Sequence, residues 1–442
     1  MQIFSKLSNV LIVTISTLLG LYVFEGCLVF FERVPYSIPS PPPWWQAKKS
    51  ALPYDTRSEH LVIAEAVTRD PSVFPQVGPD RWISAADKDY FESRLQVLPL
   101  SYPAHSTSFC NESGTWVAYQ TDHLGFRDLK PEAVQFGKHA KRIVIVGDSY
   151  AFGTCVKASE SIGGVLQAMG FRVDSFALPG TSPMFHYATF VEYGIIQKPD
   201  YLVWHFFIND IRGLLGEMQN PIMRRYLDPS YRQEDLKRNS QLIERSKRQY
   251  FDTKIKEIIN DLPEEKSKNG ELIRWLGDTE QYLNHWRNQP IMRFLKLWRL
   301  RSRFLGQTLV PEPHGPFGTL NISPESRKLF LTYFDKVLEN TRLIADSLDI
   351  KIIVSYQPVW ESYINYSKSW DTMENEIREL VVSHGIPFVD AFENVNPHDM
   401  AKYYPFGFKY RLHSNALGYR RIAEAIKVAV NNSEAANLAS VE

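Results

Sequence analysis

The sequence has few of the residues and motifs that several common classes of site require. It holds three cysteines in 442 residues, too few for a disulfide scaffold. It contains no C-x-x-C pair, no H-E-x-x-H, no G-x-x-x-x-G-K-[ST] and no G-x-G-x-x-G. A zinc site therefore has no support in the sequence, and nucleotide chemistry is disfavoured.

An excess of either charge is also absent. Fifty lysine and arginine residues face fifty acidic ones, so the formal net charge is zero. Nucleic-acid-binding proteins usually carry a basic excess, and we expect no nucleic-acid partner. With 44% apolar and 23% charged residues the composition is that of a globular protein. The length fits one large domain with insertions, or two domains.

One long hydrophobic run lies near the N-terminus. Residues 7–31 read LSNVLIVTISTLLGLYVFEGCLVFF, about the 20 apolar residues that cross a bilayer, with Glu25 towards the far end. No A-x-A-like site follows, which favours a retained anchor (1–33) over a cleaved signal peptide or a buried core helix. Lys6 precedes the run and favours an inside N-terminus. Residues 34–50 contain PYSIPSPPP and predict a stiff proline-rich linker.

Short buried strands alternate with helices from residue 142 onwards. The predicted strands are RIVIV, FRVDSFA, YLVWHFF, IKIIVSY and IPFVD. This alternation is typical of a parallel sheet with right-handed crossovers, in an α/β domain over 141–211 and 325–432. Residues 212–324 carry no buried strand and predict a helical insertion. Residues 51–140 predict an N-terminal extension that packs on the core.

Candidate functional residues follow three of these strands at the same predicted sheet edge. Ser149 lies in VGDSYAFG, Gly180 ends LPG, and Asn209 lies in FIND. The carboxyl ends of parallel strands meet at one edge, where open α/β sheets bind ligands. The N–H groups of Ser149 and Gly180 and the amide of Asn209 are therefore candidate oxyanion donors. The competing interpretation is structural, with Asp148, Ser149 and Asn209 as helix caps and Gly180 as a turn residue.

His413 is the candidate base for Ser149. It lies in RLHSNALGYRR, just before the last predicted helix, and none of the other ten histidines has that placement. His205 lies within a predicted buried strand and is interpreted as a core residue.

The ordered set of Gly-Asp-Ser, Gly, Asn-Asp and a His before the final helix resembles the SGNH (GDSL-like) hydrolase family, over residues 141 to 431. The resemblance implies a three-layer α/β/α fold that acts on acyl esters, with Ser149 as nucleophile, Gly180 and Asn209 as oxyanion donors and His413 as base. It implies no metal and no organic cofactor. Family members often carry an Asp three residues before the His, where this sequence has Tyr410. The acid partner is then Asp399, with Asp390 as the alternative, or a Ser–His dyad operates without one.

Cys110 and Cys155 are candidates for a disulfide. Outside the cytoplasm two such thiols can pair. The alternative is two free buried cysteines that pack as small hydrophobic residues.

These observations predict a membrane-anchored esterase or O-acyltransferase outside the cytoplasm. The segment YQTDHLGFRD, residues 119–128, resembles the one before the core in bacterial family members tied to surface polysaccharides. We therefore expect a single-pass protein of the bacterial inner membrane that acts on acyl, foremost acetyl, esters of a surface glycan. Its partners would be the acylated carbohydrate, the membrane and polysaccharide-assembly proteins. The alternatives are a non-catalytic glycan-binding or assembly subunit and a lipid esterase or thioesterase.

Overall fold

The structure is a computed structural model of the chain. It describes residues 2–32, 49–84, 95–130, 134–266, 323–358, 368–407 and 413–441, together with residues 47, 87, 90, 91, 295, 297 and 300. The chain divides into two compact units. The smaller comprises Met1–Pro42 and Pro263–Asn321, and the larger comprises Pro43–Leu262 and Ile322–Glu442.

The predicted N-terminal helix forms in the smaller unit, as α1 (Gln2–Glu32). Glu25, the one acidic residue within the hydrophobic run, is buried and accepts a hydrogen bond from the N–H of Leu300 at 2.7 Å. Among the described residues, no helix has both the length and the apolar character needed to cross a bilayer. The anchor over residues 7–31 stays a prediction. Most of the predicted linker 34–50 lies outside the described residues.

The larger unit is built on a five-stranded parallel sheet, which confirms the predicted α/β class. Two further strands pair as an antiparallel hairpin that precedes the sheet in the chain. The sheet order is β4-β3-β5-β6-β7, and all neighbours are parallel. All seven residues of the central strand β5 are buried, as its apolar run predicts. The strands are β1 (Thr107–Cys110), β2 (Val117–Gln120), β3 (Arg142–Gly147), β4 (Arg172–Ser175), β5 (Tyr201–Phe207), β6 (Lys351–Gln357) and β7 (Phe388–Asp390).

Helices cover the sheet in two groups. The connection from β3 to β4 runs in one direction along the sheet, and the next three connections run in the other. Right-handed crossovers therefore put the first connecting helix on one face and the next ones on the opposite face. The helices of the larger unit are α2 (Glu59–Val67), α3 (Asp80–Ile83), α4 (Ser149–Phe152), α5 (Ile162–Ala168), α6 (Pro183–Thr189), α7 (Asp210–Glu217), α8 (Pro221–Arg225), α9 (Glu234–Arg238), α10 (Ser240–Lys266), α11 (Pro324–Ser347), α12 (Lys368–Ser383) and α13 (Ala416–Val441).

The helix contacts agree with this division into two faces. The last helix, α13, packs against α5 on one side of the sheet. On the other side α6, α7 and α11 pack together, and α12 packs on α11. The result is the predicted three-layer α/β/α arrangement.

Two regions differ from the simple alternation. Helix α6 ends at Thr189, and the chain continues as a π-helical turn, Phe190–Gly194. The predicted insertion 212–324 is helical to residue 266, and most of its remainder lies outside the described residues. In α10, Ile255 and Ile258 pack against Ile63 and Val73, so this part of the insertion shares a hydrophobic cluster with the N-terminal extension.

Candidate active site

Ser149 begins the short helix α4 directly after strand β3. Gly147 makes the turn possible, because its φ is +152° and a Cβ there would lie 2.6 Å from the carbonyl oxygen of His205. Asp148 caps α4 by accepting a hydrogen bond from the N–H of Tyr150 at 2.9 Å. The structural interpretation of this motif is therefore right for Asp148. Ser149 is left with its hydroxyl directed at His413.

Ser149, His413 and Glu112 form a continuous hydrogen-bonded chain. Nε2 of His413 lies 2.8 Å from Oγ of Ser149. Its other ring nitrogen, Nδ1, lies 2.8 Å from Oε1 of Glu112. The second carboxylate oxygen of Glu112 accepts the backbone N–H of His413 at 2.7 Å. A carboxylate on Nδ1 fixes the tautomer that leaves Nε2 free to accept the serine proton.

Neither aspartate that we predicted as the acid contacts His413. Asp399 is exposed, and its carboxylate lies 3.8 Å from Nζ of Lys402. The two residues are three positions apart in the same 3₁₀ helix. Asp390 caps its own strand end, accepting the N–H of Phe392 at 2.7 Å, and lies 3.9 Å from Arg378. Both predictions are wrong as to contact, because each carboxylate is held by local partners. Tyr410, with the neighbouring residues 411 and 412, lies outside the described residues.

Glu112 reaches His413 from the loop of the β1–β2 hairpin. The loop residue Asn111 donates through Nδ2 to the carbonyl of Asp55 at 3.0 Å, and its own carbonyl accepts from Tyr54 Oη at 3.0 Å. The backbone N–H of Asp55 donates to the carbonyl of Gly114 at 2.8 Å. The segment before the hairpin thus holds both ends of the loop tip that carries Glu112.

The loop that carries His413 is held by the end of strand β6. Nε2 of Gln357, the last residue of that strand, lies 3.0 Å from Oγ of Ser414. Asn415 caps the last helix by accepting the N–H of Leu417 at 3.0 Å, and its amide donates to the carbonyl of Lys402 at 2.8 Å. The histidine therefore lies between a strand end and a capped helix start, as its placement in the sequence predicts.

The loop after β4 brings Gly180 to the same sheet edge. The N–H of Leu178 donates to the carbonyl of Gly147 at 3.1 Å, so this loop lies against the nucleophile turn. Gly180 has φ +73°, and a Cβ there would lie 2.8 Å from Oδ1 of Asp80. Only glycine adopts this conformation without strain. Gly180 therefore lies in a turn at this sheet edge, as predicted.

Asn209 follows strand β5 and stands at the start of α7. Its Oδ1 is buried without a protein partner among the described residues. At the far end of the same helix, Glu217 accepts the N–H groups of Ser182 and Met184 at 2.7 and 3.1 Å. Helix α7 therefore connects Asn209 to the loop that carries Gly180.

Burial and neighbouring charges shift the pKa of His413 in opposite directions. Burial on its own lowers the pKa of His413, but the negative charge and hydrogen bond of Glu112, with a smaller contribution from Asp148, raise that pKa above its usual value. Burial raises the pKa of the Asp148 carboxyl. By contrast His205 lies in the core beside Ser355, and burial lowers its pKa to about 3. Its assignment as a core residue agrees with this environment.

The structure joins Cys110 to Cys155 as a disulfide, with their Cα atoms 5.0 Å apart. Cys27 is free and exposed. The carboxylate of Glu112 lies within 4.8 Å of both sulfur atoms. The two sulfurs are bonded to each other, and the carboxylate of Glu112 is hydrogen-bonded to His413. In this arrangement we do not assign these three residues as a metal site.

Sequence reasoning missed Glu112, although a signal for it was present. Cys110 and Cys155 were recognised as a candidate pair, and Cys155 lies six residues after Ser149. A bond between them must bring FCNESG next to the nucleophile motif. Glu112 is the acidic residue of that segment, two positions after Cys110.

Neither a protein-family model nor a curated protein matches the chain. Among solved structures it is similar to a GDSL-like lipase from Bacteroides thetaiotaomicron, with a TM-score of 0.33 and 13% identity over 69% of this chain and 95% of the lipase. It is also similar to a catalytic mutant of an acetylxylan esterase from Geobacillus stearothermophilus, with a TM-score of 0.32 and 14% identity over 65% of this chain and 92% of the esterase. At these values we take no functional conclusion from the similarity.

Proposed function

We propose that the chain is a serine esterase of the SGNH type. The hydrogen-bonded chain from Ser149 through His413 to Glu112 carries this proposal. A serine hydroxyl is a weak nucleophile until a base takes its proton, and the base in turn needs an orienting group. The three residues come from separate parts of the sequence and meet at the carboxyl edge of the sheet, where α/β folds bind ligands.

In the proposed reaction, Oγ of Ser149 attacks the ester carbonyl as its proton passes to Nε2 of His413. Glu112 stabilises the imidazolium that forms, without taking the proton itself. The negative charge on the carbonyl oxygen is met by the N–H groups of Ser149 and Gly180 and by the amide of Asn209. The alcohol then leaves with the proton from His413, and Ser149 carries the acyl group. Water, activated by the same histidine, releases the acid and restores the hydroxyl.

The acceptor and the substrate form the finer part of the proposal. Replacing water with a sugar hydroxyl in the second step turns hydrolysis into O-acyl transfer without any change in the catalytic residues. We propose an acetylated carbohydrate as substrate. The similarity of residues 119–128 to family members tied to surface polysaccharides supports this choice.

We further propose that the protein works outside the cytoplasm. The Cys110–Cys155 bond supports this, because disulfides persist in oxidising compartments and are rare in the cytosol. Alkylation of thiols before and after reduction, on protein taken from each cell fraction, tests the location. A protein recovered from the cytoplasm with both thiols free would contradict it.

A non-catalytic binding subunit was the alternative suggested by Tyr410. Tyr410 offers no carboxylate, but Glu112 offers one to His413. Tyr410 therefore no longer favours a subunit without activity.

The decisive experiment incubates the purified full-length protein with p-nitrophenyl acetate, with and without oligosaccharide acceptors. Mass spectrometry of the peptide that contains Ser149 should show an acetyl group. Analysis of the sugars then separates hydrolysis from transfer. A protein that releases no nitrophenol and forms no acyl adduct on Ser149 would overturn the proposal.

A further inference from the structure

The Cys110–Cys155 disulfide lies between the proposed acid and the proposed nucleophile. Cys110 is the last residue of β1, and Glu112 follows two positions later in the hairpin loop. Cys155 lies six positions after Ser149. With three cysteines in the whole chain, this is the one covalent bridge between the two segments.

The Cys155 end of the bridge is fixed to the nucleophile turn. The neighbouring Thr154 donates both its N–H and its Oγ1 hydroxyl to the carbonyl oxygen of Ser149, each at 3.0 Å. The buried side chain of Arg127 donates to the carbonyl of Gly153 at 2.9 Å and also to that of Val156. The segment 153–156 is therefore held on both sides of Cys155. The disulfide ties Cys110 to this fixed segment.

The Glu112 end of the bridge is held by a different part of the chain. The hydrogen bonds of its loop tip run to Tyr54 and Asp55, in the segment that precedes the hairpin, and not to the turn that carries Ser149. The bridge is a covalent link from this loop to the segment that carries Ser149, and the hydrogen bonds of Glu112 to His413 are a second connection to the site.

We propose that the disulfide is a positioning element of the active site, which holds Glu112 at hydrogen-bonding distance from His413. This inference rests on the proposed function. When the bridge is opened, the hydrogen bond from Nδ1 of His413 to Glu112 is formed in a smaller fraction of the molecules. The transition state is then less stabilised, while substrate binding changes little. Misplacement of a catalytic group by about 1 Å can cost about 10²-fold in rate, so we expect kcat to fall by about 10-fold to 10²-fold.

A double-mutant cycle tests this in the full-length protein with p-nitrophenyl acetate. Cys110→Ser and Cys155→Ser are made together, in the wild type and in the Glu112→Gln background. In the wild type we expect lower kcat, nearly constant KM, and an acid limb of the pH–rate profile that moves to lower pH. In the Glu112→Gln background the same two substitutions should have almost no further effect on kcat, because the residue they position no longer acts. Cys27→Ser, at the exposed free cysteine, is the matched control and should behave as the wild type.

A disulfide that serves stability alone gives a different result. The loss of kcat would then be equal in both backgrounds, or kcat would stay unchanged, and either outcome overturns the inference. If the double serine variant fails to fold, the folded wild type is treated with dithiothreitol and then reoxidised. Its kcat should fall and recover while the Glu112→Gln protein stays constant, and an unresponsive wild type with both thiols free would refute the idea. Failure of the proposed function itself is recognised separately, by a Ser149→Ala protein that remains active.

Discussion

Glu112 binds His413 with both of its carboxylate oxygens, although the two residues lie 301 positions apart in the sequence. One oxygen lies 2.8 Å from Nδ1, and the other accepts the backbone N–H of the same residue at 2.7 Å. This two-point contact fixes the position of the histidine backbone as well as the orientation of its ring. The proposed acid therefore comes from the segment before the sheet, whereas the resemblance directs attention to the residues just before His413.

We predict that Glu112→Gln lowers kcat with p-nitrophenyl acetate by about 10⁴-fold. The comparable change of a triad acid to its amide has this effect in a serine protease, because it favours the wrong histidine tautomer. Asp399→Asn is the matched control, since Asp399 is exposed and pairs with Lys402. Its rate should equal that of the wild type. A large loss in Asp399→Asn together with a normal rate in Glu112→Gln would reverse the assignment.

The pH profile should change in a defined direction in the same variant. Catalysis needs neutral His413, so kcat/KM rises with pH through the pKa of that residue. Burial lowers this pKa, and the charge and hydrogen bond of Glu112, together with the charge of Asp148, raise it above its usual value. Removing the charge of Glu112 leaves the effects of burial and of Asp148, and the acid limb of Glu112→Gln should move to lower pH. A limb that stays in place, measured on the residual rate, would mean that Glu112 does not set this pKa.

Most of the fold and much of the site follow from local patterns in the sequence. The strand YLVWHFF is observed as β5, and its apolar run matches its burial on both faces. The meeting of Ser149 and His413 is also predictable. Neighbouring residues show that Ser149 follows the end of a strand and that His413 precedes the start of a helix. The position of Glu112 beside His413 cannot be predicted in this way. Its position depends on a hairpin and a disulfide whose partners are distant in sequence, and neither leaves a periodic pattern around the residue itself.

The N-terminal helix shows a second limit of prediction from sequence. A hydrophobic run of suitable length predicted a span over residues 7–31, and the run does form a helix. Composition alone does not reveal that Glu25 is buried and bound to a backbone N–H from residue 300. Tertiary contacts of this kind are set by residues far along the chain.

Ser149→Ala should abolish turnover. Loss of the nucleophile costs about a millionfold in kcat in another serine hydrolase, because no other group forms the acyl-enzyme. The fold should survive, since the motif's capping bond comes from Asp148 and not from Ser149. Circular dichroism checks the fold, and nitrophenol release measures the rate. A variant that keeps the wild-type rate would show that the ester chemistry takes place elsewhere.

We expect Asn209→Ala to lower kcat by about 10²-fold to 10³-fold, the usual cost of one oxyanion donor. Asn209 makes no side-chain capping bond to α7, so the helix should form without it. KM should change little if the amide acts on the transition state. A loss confined to KM would mean instead that Asn209 binds the substrate in its ground state.

Gly180→Ala should lower kcat by about 10-fold to 10²-fold, because its N–H would move from the developing oxyanion. Two effects oppose an alanine there, a left-handed backbone and a Cβ only 2.8 Å from Oδ1 of Asp80. Gly170→Ala separates them, since Gly170 has φ +97° but nothing within 4 Å of a Cβ. Both variants should lose about 1–2 kcal/mol of stability from the backbone, measured by denaturant unfolding, whereas only Gly180→Ala should lose activity.

The double variant Gly180→Ala with Asp80→Ala removes the atom that the new Cβ would meet. If the clash displaces the N–H, this second substitution should restore part of the lost kcat. It should leave the backbone cost in place, because the left-handed φ remains. Equal activity in the Gly180→Ala and Gly170→Ala proteins would show that the N–H of Gly180 takes no part in stabilising the oxyanion, and Ser149 and Asn209 would then be the two donors.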